Sequence, residues 1–150
     1  MDVLVPQYIT AKGYTQPADD KNVYAQLLSS SVGTDPSTSI WASGTAYTTG
    51  QTVYYLDTAG TCNGCWCQYE ALQNSTGKVP IDEPTYWVSL GAIEMYKMFD
   101  QYSNTKTTSA SSNITISYCK AITDLAFLNV QAKQITLNAW NCKPSATYPL

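Results

Sequence analysis

The run "CNGCWC" places Cys62 and Cys65 in Cys-x-x-Cys spacing with Cys67 two residues further on. Thiols so spaced open zinc knuckles, because a tetrahedral Zn2+ can take two ligands from one tight turn. A closed zinc site needs four ligands, and the chain has no histidine, so the fourth would come from Cys119 or Cys142 in another part of the sequence. No metal is expected, with Cys62, Cys65 and Cys67 kept as the alternative ligand set. A dithiol redox role calls for a βαβ setting and a helix N-terminus that depresses a thiol pKa, and the sequence predicts neither. What remains is one disulfide among Cys62, Cys65 and Cys67 stapling a loop, or simple thiols in a turn. Cys119 and Cys142 lie in neighbouring strand-like runs and can pair if their α-carbons come within about 7 Å. Five cysteines make an odd count, which leaves at least one outside any pairing within a monomer.

Acid–base chemistry has little to work with. Asp82 and Glu83 in "PIDEPTYW", with Asp57, are acidic residues near the aromatic stretch. Glycoside hydrolysis needs two carboxylates flanking one bond, whereas adjacent residues on a proline-bounded turn point apart into solvent. No catalytic residue and no cofactor are expected, and the chain is read as not an enzyme. Asp100 in "MFD" is expected to cap the following turn through its side chain. The sequons "NST" (74–76) and "NIT" (113–115) bear on function only in a eukaryotic secretory route, for which the sequence shows no signal.

The remaining candidates are aromatic. Trp41, Tyr47, Tyr54, Trp66, Tyr69 and Trp87 fall within a Gly/Thr-rich stretch. Rings beside amide and hydroxyl groups suit the flat C–H faces of sugars, which makes Trp41, Tyr47, Tyr54, Trp66 and Trp87 candidates for sugar stacking. The competing reading is that a sheet of this size, short of aliphatics, builds its core from rings. That reading leads for Tyr54, Tyr69 and Trp87. Trp41 and Tyr47, among Ser, Gly and Thr in "WASGTAY", are the better stacking pair.

Composition narrows the partners and the class. Charged residues make up 13% of the 150-residue chain and the formal net charge is -3, so there is no basic footprint for a phosphate backbone and no nucleic-acid partner is expected. No segment approaches the ~20 apolar residues that span a bilayer. The first residues lack a basic start, an apolar run and a cleavage site, so synthesis in a cytosol is expected, with any export by lysis or incorporation into a particle. Abundant Tyr, Thr and Ser with scarce Lys, Arg and Glu favour an all-β fold.

The elements that must position the aromatics follow from the local pattern. Residues 1–39 read as an N-terminal arm with one short helix over about 20–30, from Asp19 or Asp20 as N-cap and Val23 and Leu27 near helical spacing. The Ser/Thr/Gly/Pro-rich 29–39 follows as a linker. Residues 40–91 form a small aromatic β-module, with Thr52–Leu56 and Trp66–Leu72 pairing as a hairpin whose long tip holds Cys62, Gly64 and Cys65. Residues 92–150 read as a β-sandwich-like segment. In it Ile114, Ile116 and Tyr118, then Ile135, Leu137 and Ala139, alternate as strands with one buried face, and "AITDLAFLNV" between them is a buried strand with a turn or a helical turn. Without a closing partner after its last strand-like run, the sheet is completed by another subunit or the chain is the first part of a longer polypeptide.

The order Trp41, Tyr47, Gly50, Val53, "YEAL" (69–72), Pro80, Trp87 and Gly91 resembles the small chitin-binding carbohydrate modules. Followed by Met98, Phe99 and Asp100, it is similar to a module of tailed-bacteriophage virion proteins that leads into a β-sandwich. The resemblance covers roughly 40–128. The tip insertion "AGTCNGCWC", and "LQNSTG" where such modules carry an exposed tryptophan pair, depart from the chitin-binding pattern. The resemblance therefore implies a virion component in which the module is a scaffold or docking unit. The function expected is a non-enzymatic structural or adaptor component of a phage tail, baseplate or fibre-attachment apparatus, located in the virion, homo-oligomeric and bound to other virion proteins. Its arm would lie across a neighbour and its open sheet edge would be paired by a partner. The alternative is a carbohydrate-binding module on a bacterial surface polysaccharide, with Trp41 and Tyr47 as its platform.

Overall fold

Strict two-residue alternation in "CWCQYEA" organises the fold. In the computed structural model, which describes residues 9–11, 25–33, 39–58, 64–99, 105–118 and 130–136, this run is a strand that buries Cys65, Cys67, Tyr69 and Ala71 and leaves Trp66, Gln68 and Glu70 half-buried. Successive side chains of a strand point to opposite faces, so one face of the strand closes a core and the other does not.

In chain order the strands are β1 (Ile9–Ala11), β2 (Ala25–Ser30), β3 (Ala46–Tyr47), β4 (Thr52–Asp57), β5 (Cys65–Ala71), β6 (Ser75–Thr76) and β7 (Trp87–Ala92); the helix α1 (Glu94–Lys97) and strand β8 (Ile114–Tyr118) follow. They form three sheets, ordered β4-β5-β7, β1-β2-β8 and β3-β6. The chain is all-β, with one short helix among the described residues. β5 is antiparallel to both neighbours, with Val53 opposite Tyr69, Tyr55 opposite Cys67, and Ala71 opposite Trp87. The hairpin of β4 and β5 has the pairing that the alternation predicts. The edge of β4 is covered by residues 39–41, where Trp41 N–H donates to Tyr54 O (3.0 Å) and Tyr54 N–H to Ser39 O (2.8 Å).

Two bulges each leave a leucine without a partner across the ladder. In β7, Ser89 faces Tyr69 and Gly91 faces Gln68, so Leu90 is the extra residue. Gly91 absorbs the bend at φ 89, a conformation that costs side-chain-bearing residues energy. In β2, Leu27 faces Ile116 and Ser29 faces Thr115, which makes Leu28 the extra residue.

The residues expected to form a helix over about 20–30 are a strand from Ala25 onward. An isolated helix of that length is marginal in water, and here the backbone finds its hydrogen bonds in β1 on one side and β8 on the other. The linker expected at 29–39 begins inside this strand, and Ser31 continues the pairing through its N–H to Asn113 O (2.9 Å). The described parts of the arm are thus built into the fold. β2 pairs with β8, and Ala11 N–H donates to Gly64 O (2.7 Å) at the start of β5. Among the later expectations, the strand at Ile114, Ile116 and Tyr118 is β8, whereas Ile135 is exposed and lies in no strand. Leu137, Ala139, the run 121–129, Asp100, Cys62, Cys119 and Cys142 lie outside the described residues.

One apolar cluster runs through both larger sheets, from Ala11 and Leu27 through Cys65, Cys67 and Tyr69 to Tyr47, Trp87, Ile93 and Tyr96. A junction at Glu94 holds its flank. The Glu94 carboxylate accepts from Lys97 Nζ (2.8 Å) and from Thr108 N–H (3.4 Å), while its carbonyl accepts from Thr107 Oγ1 (2.9 Å). Gly33 (φ 80) packs so closely here that a β-carbon would lie 2.8 Å from Glu94 Cβ.

Candidate functional site

The aromatic residues divide between the two faces of the β4-β5-β7 sheet. On the inner face Tyr55 lies between two rings, its centroid 5.7 Å from Trp41 and 6.5 Å from Tyr69, both edge to face. Tyr47 meets Trp87 the same way at 5.2 Å. This geometry sets the positive rim of one ring against the negative face of another. The polar tips are held as well. Tyr47 Oη accepts from Ala42 N–H (2.8 Å), and Trp87 Nε1–H donates to Lys78 O (2.8 Å). Tyr47 and Trp87 are 8% and 2% exposed, too enclosed to offer a ring face to a sugar. Tyr47 is therefore removed from the expected stacking pair, because the β3–β6 pairing folds it onto Trp87. Trp41 is half-buried, and its Nε1 is enclosed without a hydrogen-bond partner.

The outer face takes the alternate positions. Leu56 is opposite Trp66, Tyr54 opposite Gln68, and Thr52 opposite Glu70, which in turn faces Val88. Of the expected stacking residues, Tyr54 and Trp66 sit on this face, both half-buried. Gln68 and Glu70 lie beside them, and the sequence motifs alone do not point to either. The signal was available in the strict alternation of "CWCQYEA", which puts 66, 68 and 70 on one face.

The carboxylates are placed by different constraints. Asp57 is 1% exposed at the end of β4, where the Cys67 thiol donates to its Oδ2 at 3.9 Å. Its carbonyl accepts from Gly64 N–H, closing the base of the hairpin loop. Glu83 is half-buried and paired with Lys78 (3.1 Å), whose ammonium also lies 4.9 Å from the Tyr86 ring centroid. The hydrogen bond to Glu83, and then its charge, hold the Lys78 ammonium above its ordinary pKa. Asp82 is exposed. Asp57 in the core and Asp82 on the surface do not share a substrate space. Cys65 and Cys67 are buried on the inner face, near Tyr96, whose phenol is pushed up to about 12 by burial and then by Cys65. Among the described residues no three His, Cys, Asp or Glu side chains are grouped to hold a metal ion.

No family model, curated protein or solved structure matches the chain.

Among the described residues, two surfaces of the β4-β5-β7 sheet are open to a partner. One is the outer face with Tyr54, Trp66, Gln68 and Glu70. The other is the outer edge of β7, whose only hydrogen-bonded strand neighbour among the described residues is β5. Val88 and Leu90 there are 40% and 49% exposed. The run "WVSLGA" holds no charge and no proline, two of the devices that keep a sheet edge from pairing, although it carries a third, the bulge at Leu90. Among the described residues no helix is long and apolar enough to cross a membrane.

Proposed function

We propose that the chain is a non-enzymatic structural or adaptor component of a phage tail, baseplate or fibre-attachment apparatus, which works by docking to other virion proteins and to copies of itself. The observation that carries this reading is the uncharged β7 edge with Val88 and Leu90 exposed. An unpaired strand edge is a liability in a monomer and a contact in an assembly. The resemblance over 40–128 supports the same reading. β1 and β2, the described strands of the arm, pair within the fold, and this reading places docking at the β7 edge.

Sedimentation velocity of the purified chain tests the proposal. A homo-oligomer is expected, and Val88→Lys or Leu90→Lys should reduce it to a folded monomer. A native chain that stays monomeric at every concentration contradicts the reading.

A second reading, binding of a bacterial surface polysaccharide, is favoured by Tyr54 and Trp66 lying beside Gln68 and Glu70 on the outer face. Weak contact with one sugar chain would be raised by many copies on one particle. Co-sedimentation with insoluble chitin, cellulose and bacterial cell-wall polysaccharide decides it. Loss of pelleting in folded Trp66→Ala supports the second reading, and no pelleting of the native chain removes it.

A further inference from the structure

We draw no further inference here: the strongest candidate, the buried side-chain cluster of Asp57, Cys65 and Cys67 at the base of the β4–β5 hairpin, carries nothing because no second observation points to a ligand and no three such groups among the described residues are placed to hold a metal ion.

Discussion

In the β4-β5-β7 sheet the interior is closed by rings packed edge to face, with Tyr47 on Trp87 and Tyr55 between Trp41 and Tyr69. In the β1-β2-β8 sheet the described buried positions are Ala11, Ala25 and Leu27, and among the described residues no aromatic pair includes a residue of this sheet. The first sheet is built from strands near in sequence. The second joins segments far apart, as in the bond from Asn113 N–H to Ser31 Oγ, 82 residues away (2.9 Å). Rings supply large buried area per residue, and their polar tips can bond to nearby backbone, so a short stretch closes a core with few aliphatics. A sheet of small side chains closed over long loops depends instead on its junctions, here Ala11 with Gly64 and Gly33 with Glu94.

The largest expected effects come from cutting into each core. Tyr69→Ala should destabilise the chain by about 3–5 kcal/mol and Leu27→Ala by about 2–4 kcal/mol, read from urea unfolding midpoints. The contrast between the sheets fails if Leu27→Ala costs more than Tyr69→Ala. Gly33→Ala comes next. It meets both a positive φ and the close approach of Glu94, and should cost about 1–3 kcal/mol. Glu94→Gly, which removes the facing β-carbon, should recover part of that loss in the double variant. If Gly33→Ala is neutral by the same unfolding measurement, the junction is not a constraint on the second sheet.

Tyr47→Phe keeps the ring on Trp87 and deletes only the acceptor for Ala42 N–H, for a loss of about 1 kcal/mol by thermal or urea unfolding. The smallest effect is on pH dependence. The hydrogen bond from Lys97 holds the Glu94 carboxyl below its ordinary value of about 4.5, with burial opposing and Thr108 N–H assisting. A carboxyl with a depressed folded pKa stabilises the fold above its unfolded value, and that contribution is lost as pH falls through the folded one. The side chain is about a third exposed (35%), so solvent screening keeps the contribution small. The native chain should therefore exceed Glu94→Gln in unfolding midpoint near neutral pH and converge with it below roughly pH 4. A constant gap across that range contradicts the assignment.

The hairpin was legible because β4 and β5 alternate cleanly and are separated by turn residues. β2 was not, because its bulge puts Leu28 beside Leu27 and breaks the two-residue period that marks a strand. Its partner β8 also lies far along the chain, where a local pattern carries no information about pairing. At the candidate site, the sequence pattern points to Trp87 as core, and it is core. The Ser, Gly and Thr neighbours of Tyr47 mark it as an exposed edge residue, yet it is buried by two-residue strands too short to show any periodicity. The burial of Asp57 was also beyond the sequence, since a carboxylate at a strand end reads as solvated until the thiol of Cys67 is placed beside it.

The most direct test of the division between faces compares one residue type on each. Trp87 is buried on the inner face and Trp66 is half-buried on the outer one. By urea unfolding, Trp87→Ala should cost about 3–5 kcal/mol and Trp66→Ala about 1–2 kcal/mol. Equal losses, or the reverse order, would contradict a core built from the inner-face rings.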